Sequence, residues 1–437
     1  VAGLNSSEGS YDVVIIGGGI VGCATAYYLA KRGLKVTLLE KGRLAWEQSS
    51  RNWGFVRRQN RASPEIPIAV LGHRLWRELS SELKAETDWV EGGGLSLART
   101  EAEMAPYEAA QEEAKAHGID TRIIGREEIQ GLIPGMEGQF VGGLYTASDG
   151  MAHPLKTTLA LAEAARSNGV AIREYCAVEG FLTEGSHVVG VCTEQGEVRG
   201  KITLCAAGIF ARNLSRMLGL NLPVRAIRES VAATAPMAPL TNLTVFGKEV
   251  CFRQTRVGSI YLSRTNLGSA DFDVTLEAFR NIRHFLPSFL KYRDILRIHV
   301  GKPLWEDILR AMPWSQARRR PFFHAVDLEP AVNSKTVAAC IEAFMNHFPA
   351  LGPIKVERTW AGIIDSTPDL LPVLGPVAAR EGIWFATGHS GHGFGIGPPV
   401  GYLLAEWIAE GRPSVDLHPM RFERFAEGDY SPPGPIG

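Results

Sequence analysis

Three continuous apolar runs along this chain each end in glycine or small residues and then give way to a helical pattern. The first, residues 13–16, is mostly β-branched and leads straight into Gly17-Gly18-Gly19-Ile20-Val21-Gly22. Apolar residues at every position, rather than every second one, suit a parallel strand buried on both faces. Residues 24–32 then read as a helix with Gly33 as its stop, and 35–39 as a second strand closed by Glu40. The second run ends at Cys205-Ala206-Ala207-Gly208 and leads to a helix reaching residue 218. The third, 383–387, passes through Gly388-His389-Ser390-Gly391-His392-Gly393-Phe394-Gly395 into a helix over 399–411.

Between these blocks the pattern is mixed. Leu71, Leu75 and Leu79 stand at helical spacing and predict a helix over 67–83. Further helices are expected at 101–117, 126–132 and 153–168, and a strand pair over 89–98. From 223 to 356 the βαβ alternation stops. Strand-like segments at 231–235, 249–254 and 259–263 alternate with helices at 276–285 and 337–348. The whole reads as α/β plus α+β, a nucleotide domain broken in sequence with a second domain laid over it. The expected divisions are 11–88, 150–222 and 357–425 for the first domain, and 89–149 with 223–356 for the second. Residues 1–10 and 426–437 are expected to be flexible tails.

The first block also carries chemistry. Glycine permits a tight turn and lets a pyrophosphate approach the backbone. The helix N-terminus aims unpaired N–H groups and its positive dipole end at the phosphates. Glu40 stands where a carboxylate would accept both ribose hydroxyls of a dinucleotide. Cys205–Gly208 is either a second close approach of backbone to cofactor or a plain strand-to-helix turn.

Composition narrows the classes. A chain of 437 residues is long enough for two domains sharing a large core. The net charge of -1, with no basic tract beyond Arg318-Arg319-Arg320 (read as a solvated turn), argues against nucleic acid. Six cysteines without CxxC spacing read as buried reduced thiols, and the expected compartment is cytoplasmic. No apolar run is long enough to suggest a membrane span. No HxxxH, HExxH or paired-cysteine pattern suggests a metal.

With these blocks in place, the chain resembles the flavin amine and amino-acid oxidoreductases: D-amino-acid oxidase, glycine oxidase and the sarcosine oxidases. The likeness rests on GGGIVG with Glu40, on Ser50-Arg51-Asn52, on the Cys205–Gly208 turn, and on Trp360-Ala361-Gly362 with Thr367-Pro368-Asp369, Pro372 and the glycine loop. The stretch SSRNWGFVRR is most similar to the sarcosine oxidase β subunit and its single-chain relatives, and an iminodiacetate oxidase is within the same likeness. The resemblance implies a glutathione-reductase-type FAD-binding domain and a discontinuous mixed-sheet substrate domain. It places Gly17, Gly19 and Gly22 on the pyrophosphate and Glu40, with Lys41, at the adenosine ribose. Ser49, Ser50, Asn52, Val178, Ala207, Gly208 and Gly362 would lie along the cofactor. Gly388, Ser390, Gly391, His392 and Gly393 would face the pyrimidine end of the flavin, where backbone donors stabilise the reduced ring.

That likeness implies hydride transfer from the carbon beside an amine to flavin N5, followed by imine hydrolysis, with oxygen or another acceptor taking the electrons. A D-amino-acid or hydroxyproline dehydrogenase, a flavin monooxygenase and a non-catalytic flavoprotein subunit are the alternatives. A partner subunit or oligomer is compatible with all of them. Two departures stand out. Gly362 occupies the position of a flavin-linking cysteine, so the FAD is expected to be non-covalent. Gly395 occupies the position of a substrate-clamping lysine, which leaves Arg57 to hold the carboxylate through a bidentate fork. Arg253 and Arg264 flank Tyr261 on strand-like segments. They read either as solvated or as a site for a second substrate carboxylate, as in iminodiacetate or an opine. Tyr261 and His389 are catalytic candidates, and His389 and His392 can equally shape the loop. His153 falls where a relative carries FMN, so it reads either as a second-flavin site or as an ordinary helix start.

Overall fold

The computed structural model describes residues 10–265, 268–312 and 327–434, so Arg318-Arg319-Arg320 lies outside the described residues. The first strand, Tyr11–Ile16, is buried nearly throughout. Val13 and Ile15 pack into one apolar layer, and Tyr11, Val14 and Ile16 into another. Burial on both faces is why this run shows no polar alternation. It lies between Val36–Leu39 and Gly196–Cys205, parallel to both. Arg380–Thr387 pairs in parallel with the far side of Gly196–Cys205. The three runs that precede small-residue turns are thus adjacent strands of one eight-stranded sheet. Their turns emerge together at its C-terminal edge, where open α/β sheets bind ligands.

The helices Ile20–Lys31 and Gly393–Glu410 lie side by side on one face of this sheet. A Cβ at Gly401 would come within 2.6 Å of the Ala24 Cβ, so glycine is what allows the close approach. The last helix begins six residues before the sequence suggested, with Pro398 and Pro399 inside it. Proline offers no N–H to the carbonyl one turn back. The carbonyl of Gly395, which Pro399 cannot serve, accepts from Trp76 Nε1 at 2.8 Å instead.

A second sheet of ten strands covers the turn edge. Its centre is Arg225–Thr234, paired antiparallel with Val356–Ser366. Val356–Ser366 was expected to open the last block of the nucleotide domain, but it belongs to this sheet. One face of the sheet packs Ala232, Phe252 and Leu262 against Cys340 and Phe344 of the Ser334–His347 helix. The helix expected over 276–285 is two, Leu276–Arg280 and Ile282–Tyr292, divided at Asn281. The Asn281 side chain turns away to exchange hydrogen bonds with Asn221. The strand pair expected over 89–98 is the single strand Gly94–Ala98 with an isolated bridge from Val90 to Met151. From residue 426 to 434 the chain lies against the body: Lys291 Nζ donates to the Pro433 carbonyl at 2.7 Å, and Gly434 N to that of Asp369 at 3.3 Å. Among the described residues no helix is long and apolar enough to cross a membrane.

Candidate active site

A cavity of about 280 Å³ lies between the turn edge of the first sheet and the exposed face of the second. Gly17 and Gly19 line it, with the first turn of the Ile20–Lys31 helix. First-turn amides have no carbonyl one turn back, so those that no side chain caps can bind an anion. Gly17 has φ 110° and a Cβ there would strike the Ala206 carbonyl at 2.4 Å. Gly22 does not line the cavity. A Cβ on it would sit 2.0 Å from the Gly17 carbonyl oxygen, so its role is close packing of turn on helix.

Glu40 lines the cavity, and its carboxylate accepts from Gly18 N at 2.7 Å and Gly42 N at 2.9 Å. Burial raises this carboxyl above its ordinary value, and the two amides oppose the rise. Each oxygen retains a lone pair, so a pair of vicinal hydroxyls can still be accommodated. Lys41 also lines the cavity but is held to Glu47 at 2.6 Å. Ser49 Oγ accepts from Ile20 N at 2.9 Å, and Asn52 Oδ1 from Gly54 N at 2.8 Å. Ser50 stands apart, its hydroxyl donating to the Trp46 carbonyl at 2.8 Å.

Val178, Ala207, Gly208 and Gly362 all line the cavity, as do His389, Ser390, Gly391, His392 and Gly393. Gly388 does not, since its N–H donates to Asp365 Oδ2 at 2.7 Å behind the loop. Sequence reasoning passed over the residue that ties these pieces together. Gln48 accepts from Ile209 N at 3.2 Å and donates to Asp365 Oδ1 at 2.9 Å. It therefore bridges the second turn to the carboxylate that holds the third. His389 Nε2 is buried without a partner, and burial lowers its pKa against the pull of Asp365 and Glu65. His392 Nδ1 lies 2.9 Å from Glu65 Oε2, and Arg61 Nη1 lies 3.5 Å from the same oxygen. Burial alone would raise the Glu65 carboxyl, but His392 and Arg61 bring it below the usual range.

On the facing wall Arg57 is buried and its guanidinium lies over the Phe246 ring at 4.8 Å. Its Nε and Nη1 have no hydrogen-bond partner. Burial, then the neighbouring Arg61, pulls its pKa down to about 10. The other arginines of the lining are committed. Arg51 donates to the Ala361 carbonyl at 3.2 Å and pairs with Glu329 at 2.9 Å. Arg61 Nε donates to the Arg57 carbonyl at 3.1 Å.

Four candidates lie elsewhere. Arg253 is buried behind the wall, donating to the Trp53 carbonyl and lying 3.7 Å from the Met151 sulfur. Its guanidinium lies over Tyr261 at 4.7 Å, and Tyr261 packs edge-on against Trp360. Neither lines the cavity, so alternation gave a face but not the one that meets the site. Arg264 follows the Ile260–Ser263 strand, outside the lining and within electrostatic range of Cys340. A second carboxylate site built from Arg253 and Arg264 has no geometric basis. His153 is the N-cap of the Pro154–Ser167 helix, its ring accepting from Lys156 N at 3.4 Å, and Lys156 pairs with Asp88 at 2.9 Å. It too is outside the lining. One acid was overlooked: Glu229 lines the cavity, and burial pushes it up to about 7. The only sequence signal was a glutamate in the middle of a strand that turns apolar after it.

A family model described as DAO, FAD dependent oxidoreductase, matches residues 12–407. Mitochondrial sarcosine dehydrogenase from Homo sapiens is 27% identical over 432 residues, covering 95% of this chain and 41% of the human protein. The chain thus spans less than half the length of that relative. Sarcosine oxidase subunit beta from an Arthrobacter species is 27% identical over 428 residues, covering 96% of this chain and 92% of the subunit. The structure of L-amino acid deaminase from Proteus myxofaciens in complex with anthranilate superposes with a TM-score of 0.88 at 26% identity, covering 97% of this chain and 96% of that one. With three small-residue turns converging on one cavity and this match over most of its length, the chain belongs to the family of FAD-dependent oxidoreductases.

Proposed function

We propose that this protein oxidises the carbon–nitrogen bond of an amino acid or N-substituted glycine whose carboxylate is held by Arg57. The observation that carries this reading is the Arg57 guanidinium, buried in the cavity wall with Nε and Nη1 unpaired. A buried guanidinium without an anion is costly, and a carboxylate matches its planar fork. The relatives named above act on amino acids or N-methylglycine by their names, which supports the same substrate class.

The turn edge fits a dinucleotide. Gly19 and the first-turn amides beyond Ile20 would take the pyrophosphate, Gly17 would leave room for it, and Glu40 would take the ribose hydroxyls through its remaining lone pairs. Val178 would stand beside the adenosine, and the loop His389–Gly393 beside the ring end. Bound FAD would supply the two-electron acceptor. Arg57 anchors one end of the substrate, Phe246 and Phe55 wall its flank, and the covering sheet limits water. A second flavin forms no part of this reading, because His153 and Lys156 are accounted for as a helix cap and an ion pair.

Gly362 carries no thiol, so the flavin should be held without a covalent bond. Acid precipitation should leave the yellow colour in the supernatant, and colour on the pellet would contradict this. The substrate test is anaerobic bleaching of the flavin by N-substituted glycines, D- and L-amino acids. Bleaching by amines that carry a carboxylate, and not by their decarboxylated counterparts, is the expected result. Equal bleaching by both would sink the reading.

A further inference from the structure

The cavity that Arg57 lines has a second ionisable group with no assigned part. Glu229 stands mid-strand in Arg225–Thr234, directly across from Gly362 on the neighbouring strand. Alternation puts Glu229 and Val231 on the cavity side, with Gly362 and Ile364 beside them. Glycine opposite leaves no side chain to cover the carboxyl. No described residue hydrogen-bonds or ion-pairs with Glu229, and burial is the one resolved cause of its rise to about 7.

The charges around it are engaged elsewhere. Asp365, on the partner strand, accepts from Gln48, Thr387 and Gly388. Asp271, on the strand at its other side, holds His299 and Asn333. In the loop, His392 faces Glu65. His389 feels Asp365 and Glu65 but not Glu229. Glu229 and Arg57 both line the cavity, and Cys251 lies within electrostatic range of each. No ion pair joins Arg57 to Glu229. An unpaired guanidinium and an unpaired carboxyl in one cavity, too far apart to satisfy each other, are the two halves of a site for a zwitterion.

We propose that Glu229 receives the amino group of the substrate while Arg57 holds its carboxylate. This rests on the amino-acid reading above and adds the residue that recognises the nitrogen. The ammonium of the arriving zwitterion donates to the Glu229 carboxylate. One N–H bond then breaks and a carboxyl O–H bond forms, the nitrogen keeping the electron pair. That lone pair stabilises the adjacent carbon as it loses hydride, and the hydride with its two electrons goes to the family's flavin acceptor.

The test uses the purified holoenzyme and a matched pair of probes. These are 2-aminoisobutyrate, which has no C–H bond beside its amine to oxidise, and isobutyrate, the same shape without the amine. Binding is followed by flavin absorbance between pH 6 and pH 8. The wild type should bind 2-aminoisobutyrate more tightly at the higher pH, while isobutyrate shows no such gain. Glu229→Gln should weaken 2-aminoisobutyrate by about tenfold at pH 8 and leave isobutyrate within about twofold, and Glu229→Asp should restore part of the loss. If 2-aminoisobutyrate gains nothing with pH in the wild type, or if Glu229→Gln weakens both probes alike, the assignment is overturned. A second arm follows kcat/KM against pH for whichever panel amine reduces the flavin. Glu229→Gln should abolish the limb near neutrality, and a retained limb counts against the proposal. Discrimination of the probes through Glu229 with no amine reducing the flavin would keep this assignment and reject the oxidation reading.

Discussion

The two walls of the cavity are built on opposite principles. The turn edge presents backbone, and what it can do depends on φ angles and on the absence of Cβ atoms at Gly17 and Gly22. The opposite wall presents side chains, each from a different segment: Phe246 and Glu229 from the facing sheet, and Arg57 from the stretch after Phe55–Val56. The same contrast of context separates two arginines. Arg57 and Arg253 are both buried, both lie over an aromatic ring, and both are pulled by burial to about 10. Arg253 is tied to the Trp53 carbonyl through Nε, and only its Nη2, beside Gly54, is buried without a partner. It braces the loop that carries Trp53. Arg57 lines the cavity and leaves both Nε and Nη1 without a hydrogen-bond partner. Burial and charge do not distinguish a binding arginine from a bracing one, whereas the account of hydrogen bonds does.

The comparison can be broken most severely at the backbone wall. Gly22→Val would drive a side chain into the Gly17 carbonyl, 2.0 Å from its Cβ. The variant should purify without flavin, read as loss of the visible flavin absorbance. Full flavin content would show that the turn tolerates a Cβ. At the side-chain wall, Arg57→Ala should keep its flavin and lose about 2–4 kcal/mol in kcat/KM, with the change mainly in KM. A kcat/KM near wild type would move the clamp elsewhere.

Arg253→Ala sharpens the contrast from the other side. Removing the brace should lower Tm by about 4 °C and change kcat/KM by less than about threefold. A large KM effect with unchanged Tm would make Arg253 a substrate ligand after all. The smallest effect on stability is expected at Glu229. Its folded-state pKa, about 7, lies above the ordinary glutamate value of 4.5. The folded protein therefore holds this proton more tightly than the unfolded chain does, and the carboxyl costs stability as pH rises through that window. Without amine present, Glu229→Gln should raise Tm by about 2 °C at pH 8 and leave it unchanged at pH 4. A Tm gain equal at both values would remove ionisation as the cause.

The backbone wall was legible because its parts are neighbours in the chain. Strand, glycine turn, helix and Glu40 follow one another, and their spacing carries the geometry. Gln48 escaped notice because its work is to join turns from three distant segments, which no local pattern records. Arg57 stood out only through likeness to a family. Glu229 had no such help: in Arg-Ala-Ile-Arg-Glu-Ser it reads as one more charge at the polar end of a strand. Its meaning comes from the register that sets it across from Gly362. The strand Val356–Ser366 was missed for a related reason. It opens with Glu357 and Arg358 and contains Gly362, features that disfavour a strand unless a partner supplies the pairing.

The pairing order of the first sheet also sets when the site can come into being. Tyr11–Ile16 has its neighbour in Gly196–Cys205, and that strand has its own in Arg380–Thr387. Contacts so distant along the chain form late, after a large loop-closure cost has been met. The glycine turn made first during synthesis must wait for a helix near residue 393 to pack against its own helix. Until then the Ile20–Lys31 helix has the Pro154–Ser167 helix beside it but lacks its second helical neighbour, and the dinucleotide edge has only part of its wall. A chain halted before residue 380 should accordingly capture no flavin, so cofactor loading is a terminal event of folding that reports completion of the whole chain.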